Sequence, residues 1–172
     1  NGMIYARGHS ADFDDWSRLG LPGWSFAEVL PYFRRTEANW RGDSSYHGAS
    51  GPLSVTRVHD PDDPTRLVLF EAAQQLGYAR IDDSHQREEE GFLVPDFTID
   101  RGHRASTAAR FLRPVSGRPN LRLLTGALVR RVLFERHRAV GVEYVHHDVV
   151  KRVEAESEVL LAAGTFNSPK IL

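Results

Sequence analysis

Side chains able to do chemistry are scattered along this chain rather than gathered in one motif. Of its eight histidines only His146 and His147 are adjacent. Neighbours on a strand point to opposite faces, so the pair is not expected to share a metal. No H-x-x-x-H or H-E-x-x-H spacing and no carboxylate-rich ligand loop occurs, so the motifs specify no metal site. Ser44 and Ser45 lie near His47 but outside any G-x-S-x-G elbow, and read as loop. The acidic run Glu88–Glu90 reads as solvated surface. "GTFNSPK" carries a lysine at a strand-to-helix turn without the glycine spacing of a phosphate loop. "AAGTFNSP" holds the most chemical content. A buried strand that ends in glycine and enters a helix N-terminus is how doubly wound sheets bring amides to a nucleotide phosphate or a flavin.

Local signals divide the chain into short elements. Ala11–Leu19 reads as a helix with Ser10 as N-cap and Gly20 as its stop. Ser25 with Glu28 three residues on is a capping box. Phe26, Val29, Leu30 and Phe33 then mark one apolar helix face, with Pro31 as a kink. Arg41–Gly51 is a loop, "PLSVTRV" alternates as a strand does, and Pro64–Leu76 is a helix closed by Gly77. Phe92–Ile99 reads as a strand and Ala105–Leu112 as a short helix ended by Pro114. Leu121–Leu124, Val129–Glu135, Ala139–His146, Lys151–Glu156 and Glu158–Ala163 form an expected antiparallel meander. Its last member, "VLLAAG", is nearly all apolar, as expected of a strand buried on both faces. "TFNSPKIL" begins a helix, with Asn167 or Ser168 as cap and Pro169 in the first turn.

Composition narrows the function classes. With 172 residues, 41% of them hydrophobic and 26% charged, the chain matches a globular protein rather than a disordered tail. A net charge of −1 gives no global attraction to nucleic acid or anionic lipid, so no nucleic-acid partner is expected. Zero cysteines exclude disulfides and thiolate chemistry. That fits a reducing compartment, with the cytoplasm favoured. No stretch has the apolar length of a transmembrane helix, and no signal-peptide pattern appears.

"NGMIYARGHSADFDDW", "GWSFAEVLPYFRRTE", "YHGASGPLSV", "HRASTAARFLRP", "NLRLLTGALVRRVLFE", "AVGVEYV" and "LLAAGTFNSPKIL" occur in that order over essentially the whole chain. The series resembles the glucose–methanol–choline (GMC) family of FAD-dependent alcohol oxidoreductases, in particular its choline-dehydrogenase and alcohol-dehydrogenase branch. The resemblance implies an α/β fold: a partial FAD-binding, Rossmann-like domain and part of a substrate domain built on an antiparallel sheet. Residues 1–23 and 120–172 would be FAD-domain segments, and 24–119 mainly substrate domain. The chain reads as an internal piece. It lacks the family's Gly-Gly-Ser-Ser stretch, its G-x-G-x-x-G fingerprint and its catalytic histidine, so the piece alone is expected to be inactive and no catalytic residue is assigned.

Cofactor contacts do carry over by resemblance. Asn1, Gly2, Met3 and Ile4 would pass beside the isoalloxazine and pyrophosphate of FAD, Gly2 allowing close backbone approach. Val129 matches the position whose main chain pairs with adenine. Ala163 and Gly164 would lie beneath the cofactor, while Arg104 and Ser106 would order the helix that follows them. The implied reaction moves a hydride from a small-molecule alcohol to flavin N5. The electron acceptor is left open between oxygen, a quinone and another carrier. The alternatives are a hydroxynitrile lyase on the same scaffold and, for the isolated piece, a non-catalytic structural module.

Overall fold

The computed structural model describes residues 2–58, 63–86 and 90–172, so Asn1 and most of the acidic run Glu88–Glu90 lie outside the described residues. The chain divides into two compact units, Asn1–Gly117 and Arg118–Leu172. Helix and strand are mixed throughout, and the sheets are small.

The first unit is built from short strands and three capped helices. Strand β1 (Ile4–Tyr5) leads into α1 (Ser10–Arg18), α2 (Phe26–Thr36), β2 (Glu37–Asn39) and β3 (Leu53–Val55). His9, one residue before the expected cap, closes the start of α1 by accepting from the Ala11 amide at 3.2 Å. The expected capping box of α2 is present: the Ser25 amide and hydroxyl both donate to Glu28 Oε2. Asp14 of α1 also accepts from the Phe26 amide at 2.9 Å, tying the two helices end to side. Buried Phe13 packs edge-on to Phe33 and against Phe26, so one α1 residue fills the groove to α2.

Helix α3 (Pro64–Gln75) starts where Asp63 accepts from the Thr65 amide and ends before Gly77, whose φ of 87° suits the turn. The expected strand over Phe92–Ile99 is broken into β5 (Gly91–Phe92), β6 (Asp96–Phe97) and the start of β7 (Ile99–Asp100), after β4 (Ala79–Arg80). Pro95 interrupts it because it has no amide for a ladder. Strand β6 pairs antiparallel with β1, and β7 with β8 (His103–Arg104). The β2–β3 and β4–β5 pairs are parallel. Past β8, Ser106 Oγ accepts from the Ala109 amide as its motif implied. The turn it opens is a wide π-type one over Ala108–Leu112. Pro114 then sits inside a following tight turn, Arg113–Val115, rather than ending the helix.

The second unit is a meander, β9 (Ala127–Glu135), β10 (Arg138–His146) and β11 (Val149–Glu154), followed by α4 (Gly164–Ile171). Glu143 on the central strand lies opposite Arg131 on one neighbour and Arg152 on the other, and both guanidiniums bond its carboxylate. That single acid ties three strands together, and the two arginines hold its carboxyl below its usual range.

Three expectations fail here. Residues 121–124 and the "VLLAAG" segment form no strand, and Leu160 is 82% exposed. A strand exists only where a neighbour takes its amides and carbonyls, and among the described residues none lies alongside. Helix α4 begins at Gly164 after Ala163, which places Pro169 well inside it. Ser168 Oγ instead reaches back to accept from the Ala163 amide. His146 and His147 do not diverge: His147 leaves the strand at φ 53°, and the two rings meet with centroids 4.1 Å apart.

Candidate functional site

Distant segments of the first unit converge on a buried ring of charges. Arg7, just past β1, reaches Glu37 Oε1 at 2.6 Å and the Tyr46 carbonyl at 2.8 Å. Glu37, at the start of β2 and fully buried, faces His47 Nδ1 at 3.0 Å. His47, also fully buried, faces Asp83 Oδ2 through Nε2 at 2.7 Å. Asp83 accepts from the His85 amide, and His85 Nε2 accepts from the Arg7 amide at 3.3 Å, which closes the ring. The loop over Arg41–Gly51 reaches this depth because Gly48 lies against the Arg34 carbonyl, where a Cβ would come within 1.9 Å of the oxygen.

Protonation in the ring follows from its partners. Both His47 nitrogens face carboxylates, Nδ1 also meeting the Asn39 amide nitrogen at 3.0 Å, and the two acids favour the doubly protonated ring. Burial alone would lower its pKa, but the bonds to Asp83 and Glu37 outweigh it and lift the value from 6.5 to about 9. Burial would likewise raise Glu37, yet the His47 bond, the Arg7 charge and the Gly48 amide bring it down to about 2. Asp83 is held well below the carboxylate range, its bonds from His47 and His85 overriding burial. Burial pushes Tyr5, which lies beside Arg7, up to about 12.

His47, Asp83 and His85 have ligand atoms within 4.8 Å of one another, the spacing of a metal site. The protons argue otherwise. His85 uses the lone pair of Nε2 on the Arg7 amide, so Nδ1 carries hydrogen and faces Asp83 Oδ1 at 3.5 Å. A ligating imidazole needs a free lone pair, and neither ring offers one without breaking the ring of bonds.

His85 and Ser84 line two cavities. One, of about 220 Å³, includes Arg7, Tyr46 and Phe26; the other, of about 320 Å³, includes Ile4, Tyr5, Ala6 and Arg41. Within the second unit a third cavity, of about 440 Å³, lies between β9 and α4. Ala127, Leu128, Val129 and Ile171 give it apolar walls, with Arg130, Asn167 and Lys170 as polar ones.

The profile described as GMC oxidoreductase matches residues 1–172. The chain belongs to the GMC oxidoreductase family. It is 44% identical over 172 residues to the mitochondrial choline dehydrogenase of Homo sapiens, covering all of this chain and 29% of that protein. It is 41% identical to the oxygen-dependent choline dehydrogenase of Photobacterium profundum, of which it covers 30%. Among solved structures it is similar to pyridoxine 4-oxidase from Mesorbium loti, with a TM-score of 0.89, 33% identity, and coverage of 99% of this chain and 34% of that one. It is also similar to an FAD-dependent oxidoreductase from Chaetomium thermophilum, with a TM-score of 0.88, 30% identity, and coverage of 99% and 32%. The chain thus spans about a third of the length of these relatives.

Within this GMC chain the positions singled out from the sequence fall into two groups. Gly2, Met3 and Ile4 open the first unit. Met3 has φ 63°, its carbonyl accepts from the Thr98 amide at 2.8 Å, and Ile4 is half-exposed. A Cβ on Gly2 would touch only the Ile4 side chain, at 3.9 Å, so its backbone is open to approach. Val129 and Ala163 line one cavity, brought there by β9 and by the start of α4, and Gly164 begins that helix at φ 84°. Asn1 lies outside the described residues. The ring of Arg7, Glu37, His47, Asp83 and His85 was missed by sequence reasoning. Its members share no spacing, and the only signal was the density of acids and histidines between 82 and 85.

Proposed function

We propose that this GMC chain is part of an FAD-dependent oxidoreductase acting on the CH–OH group of a small alcohol. The observation that carries the reading is the cavity of the second unit. Val129 and Ala163, selected independently by resemblance, both line it. Its volume of about 440 Å³ falls in the range of roughly 300–1,000 Å³ usual for small-molecule sites. An apolar strand face suits a planar base, while Asn167, Lys170 and Arg130 suit the polar, anionic remainder of a dinucleotide. The exposed backbone at Gly2–Ile4 is the second proposed contact, to the isoalloxazine.

When bound, FAD supplies the acceptor for the hydride leaving the alcohol carbon. The residues of this chain hold and orient it. They supply no base from the ring: His47 has no lone pair to offer, and His85 spends its own on the Arg7 amide. The hydroxyl proton is assigned, as the family resemblance implies, to a group outside these residues. Identity of 41–44% to choline dehydrogenases makes choline the first alcohol to try.

The full-length protein should carry flavin absorbance that bleaches anaerobically on addition of choline or a related primary alcohol. Flavin that stays oxidised while a cyanohydrin is cleaved would replace this reading with a lyase. Val129→Ile should keep near-normal flavin content. Val129→Pro removes the amide that this reading pairs with adenine, a loss of about 1–3 kcal/mol, and should lower flavin content more than Val132→Pro does. Equal flavin-to-protein ratios in all three variants would remove Val129 from the site.

A further inference from the structure

The run from Met3 to Arg7 is pinned at both ends by different means. At the Met3 end its carbonyl accepts from the amide and, at 3.2 Å, the hydroxyl of Thr98. At the Arg7 end the guanidinium is held by Glu37 and the Tyr46 carbonyl, but the amide has only the His85 ring. That ring is itself packed between neighbours. Its own amide donates to Asp83, Nδ1 lies 3.5 Å from the same carboxylate without a hydrogen bond, and the ring meets those of Tyr5 and His47 edge-on with centroids 5.5 and 5.7 Å away. Asp83 in turn is fixed by His47, which cannot turn without losing a carboxylate on either side.

We infer that His85 is a positioning residue: as the Nδ1–H tautomer it accepts the Arg7 amide and so sets the backbone of Ile4, Tyr5 and Ala6, which wall the adjoining cavity. The inference rests on the flavin reading above, in which the residues leading into this run pass beside the isoalloxazine. His47 acts one step further back. Its Nε2 holds Asp83 Oδ2, and the other oxygen of that carboxylate accepts the His85 amide, so His47 helps to place the residue whose ring receives Arg7. The side chain at 85 touches no reacting atom in this scheme; its effect travels through the Ala6–Arg7 peptide. A displaced peptide moves the cavity wall, and small misplacements near a reacting centre carry large rate costs.

The test compares His85→Gln with His85→Asn in the full-length protein. A Gln amide oxygen reaches the position of Nε2, whereas Asn is too short. Three readouts are taken: hydrogen exchange of the peptide spanning Tyr5–Arg7, visible circular dichroism of the flavin, and kcat separately from KM. His85→Gln should keep exchange protection and the dichroic spectrum close to those of the unaltered protein. His85→Asn should lose protection by roughly tenfold or more, alter the spectrum and lower kcat more than it raises KM. Unaltered protection and spectrum in His85→Asn would overturn the proposal. Should that variant fail to fold, lost protection in His85→Gln would overturn it equally, and retained protection would support it. Zinc bound one per chain, surviving dialysis and lost from both variants, would overturn the tautomer and the proposal with it. A full-length protein that holds no flavin would instead overturn the flavin reading, while the exchange data still decide the His85 bond.

Discussion

Replacing His47 with leucine removes a charge from the centre of the buried ring while roughly preserving volume. Glu37 keeps Arg7 and the Gly48 amide, and Asp83 keeps the His85 amide with Arg41 at 3.7 Å, so neither carboxylate is wholly stranded. Breaking one partner out of a buried ion pair costs about 3–5 kcal/mol. The pH dependence gives a second measure. The His47 pKa lies at about 9 in the folded chain against 6.5 for the free side chain. A raised folded-state value means its stabilisation is complete below 6.5 and is lost as pH rises through 9. At about 1.4 kcal/mol per pH unit, that window is worth roughly 3 kcal/mol at most. The groups facing His47 are Glu37, Asn39, Arg7 through Glu37, Asp83 and His85. The carboxylates among them have lowered pKa values, so their own titration falls far below the window. Urea unfolding followed by indole fluorescence, on either side of the window, should find a large gap between the unaltered protein and His47→Leu in acid. The gap should shrink by about 3 kcal/mol in alkali. A gap that does not change across the window would refute the doubly protonated His47 and the ring built on it.

Gly48→Ala should be among the most damaging single changes. Its Cβ would lie 1.9 Å from the Arg34 carbonyl oxygen and 2.7 Å from the carbonyl carbon, so backbone must move. A loss of about 4 kcal/mol or failure to fold is expected, read by urea unfolding or soluble yield. Asp63→Ala removes the oxygen that accepts the Thr65 amide and should cost about 1 kcal/mol. Faster amide exchange confined to the first turn of α3 would accompany it, and unchanged exchange there would count against the cap.

Signals that act within a few residues were legible in the sequence. Ser25 and Glu28, and Gly20 and Gly77, each act on backbone one turn away, so the start of α2 and the ends of α1 and α3 could be read from neighbours alone. The β-branched runs and short turns of the β9–β11 segments were equally local, and only their ends shifted. "VLLAAG" misled because an apolar run states a preference for burial, whereas a strand is a property of two segments. The ring was invisible for a related reason. Arg7 and His85 are 78 residues apart, and each stands among ordinary loop residues. Val129 and Ala163 were proposed from family likeness; without it, neither an unremarkable strand valine nor a turn alanine carries a local mark.

Those separations also bear on the order of folding. Arg7 to Glu37 spans 30 residues, His47 to Asp83 spans 36, and the Arg7 amide to His85 spans 78. Each link closes a loop whose entropy must be lost before the contact repays it. The helices can form on their own caps, but the ring can assemble only once all its segments have met. We expect it to form on the native side of the folding barrier, so that its loss slows folding little and falls on the rate of unfolding. On that expectation Arg7, Glu37, His47, Asp83 and His85 act as a latch that closes late, and removing it should shorten the time the unit stays folded.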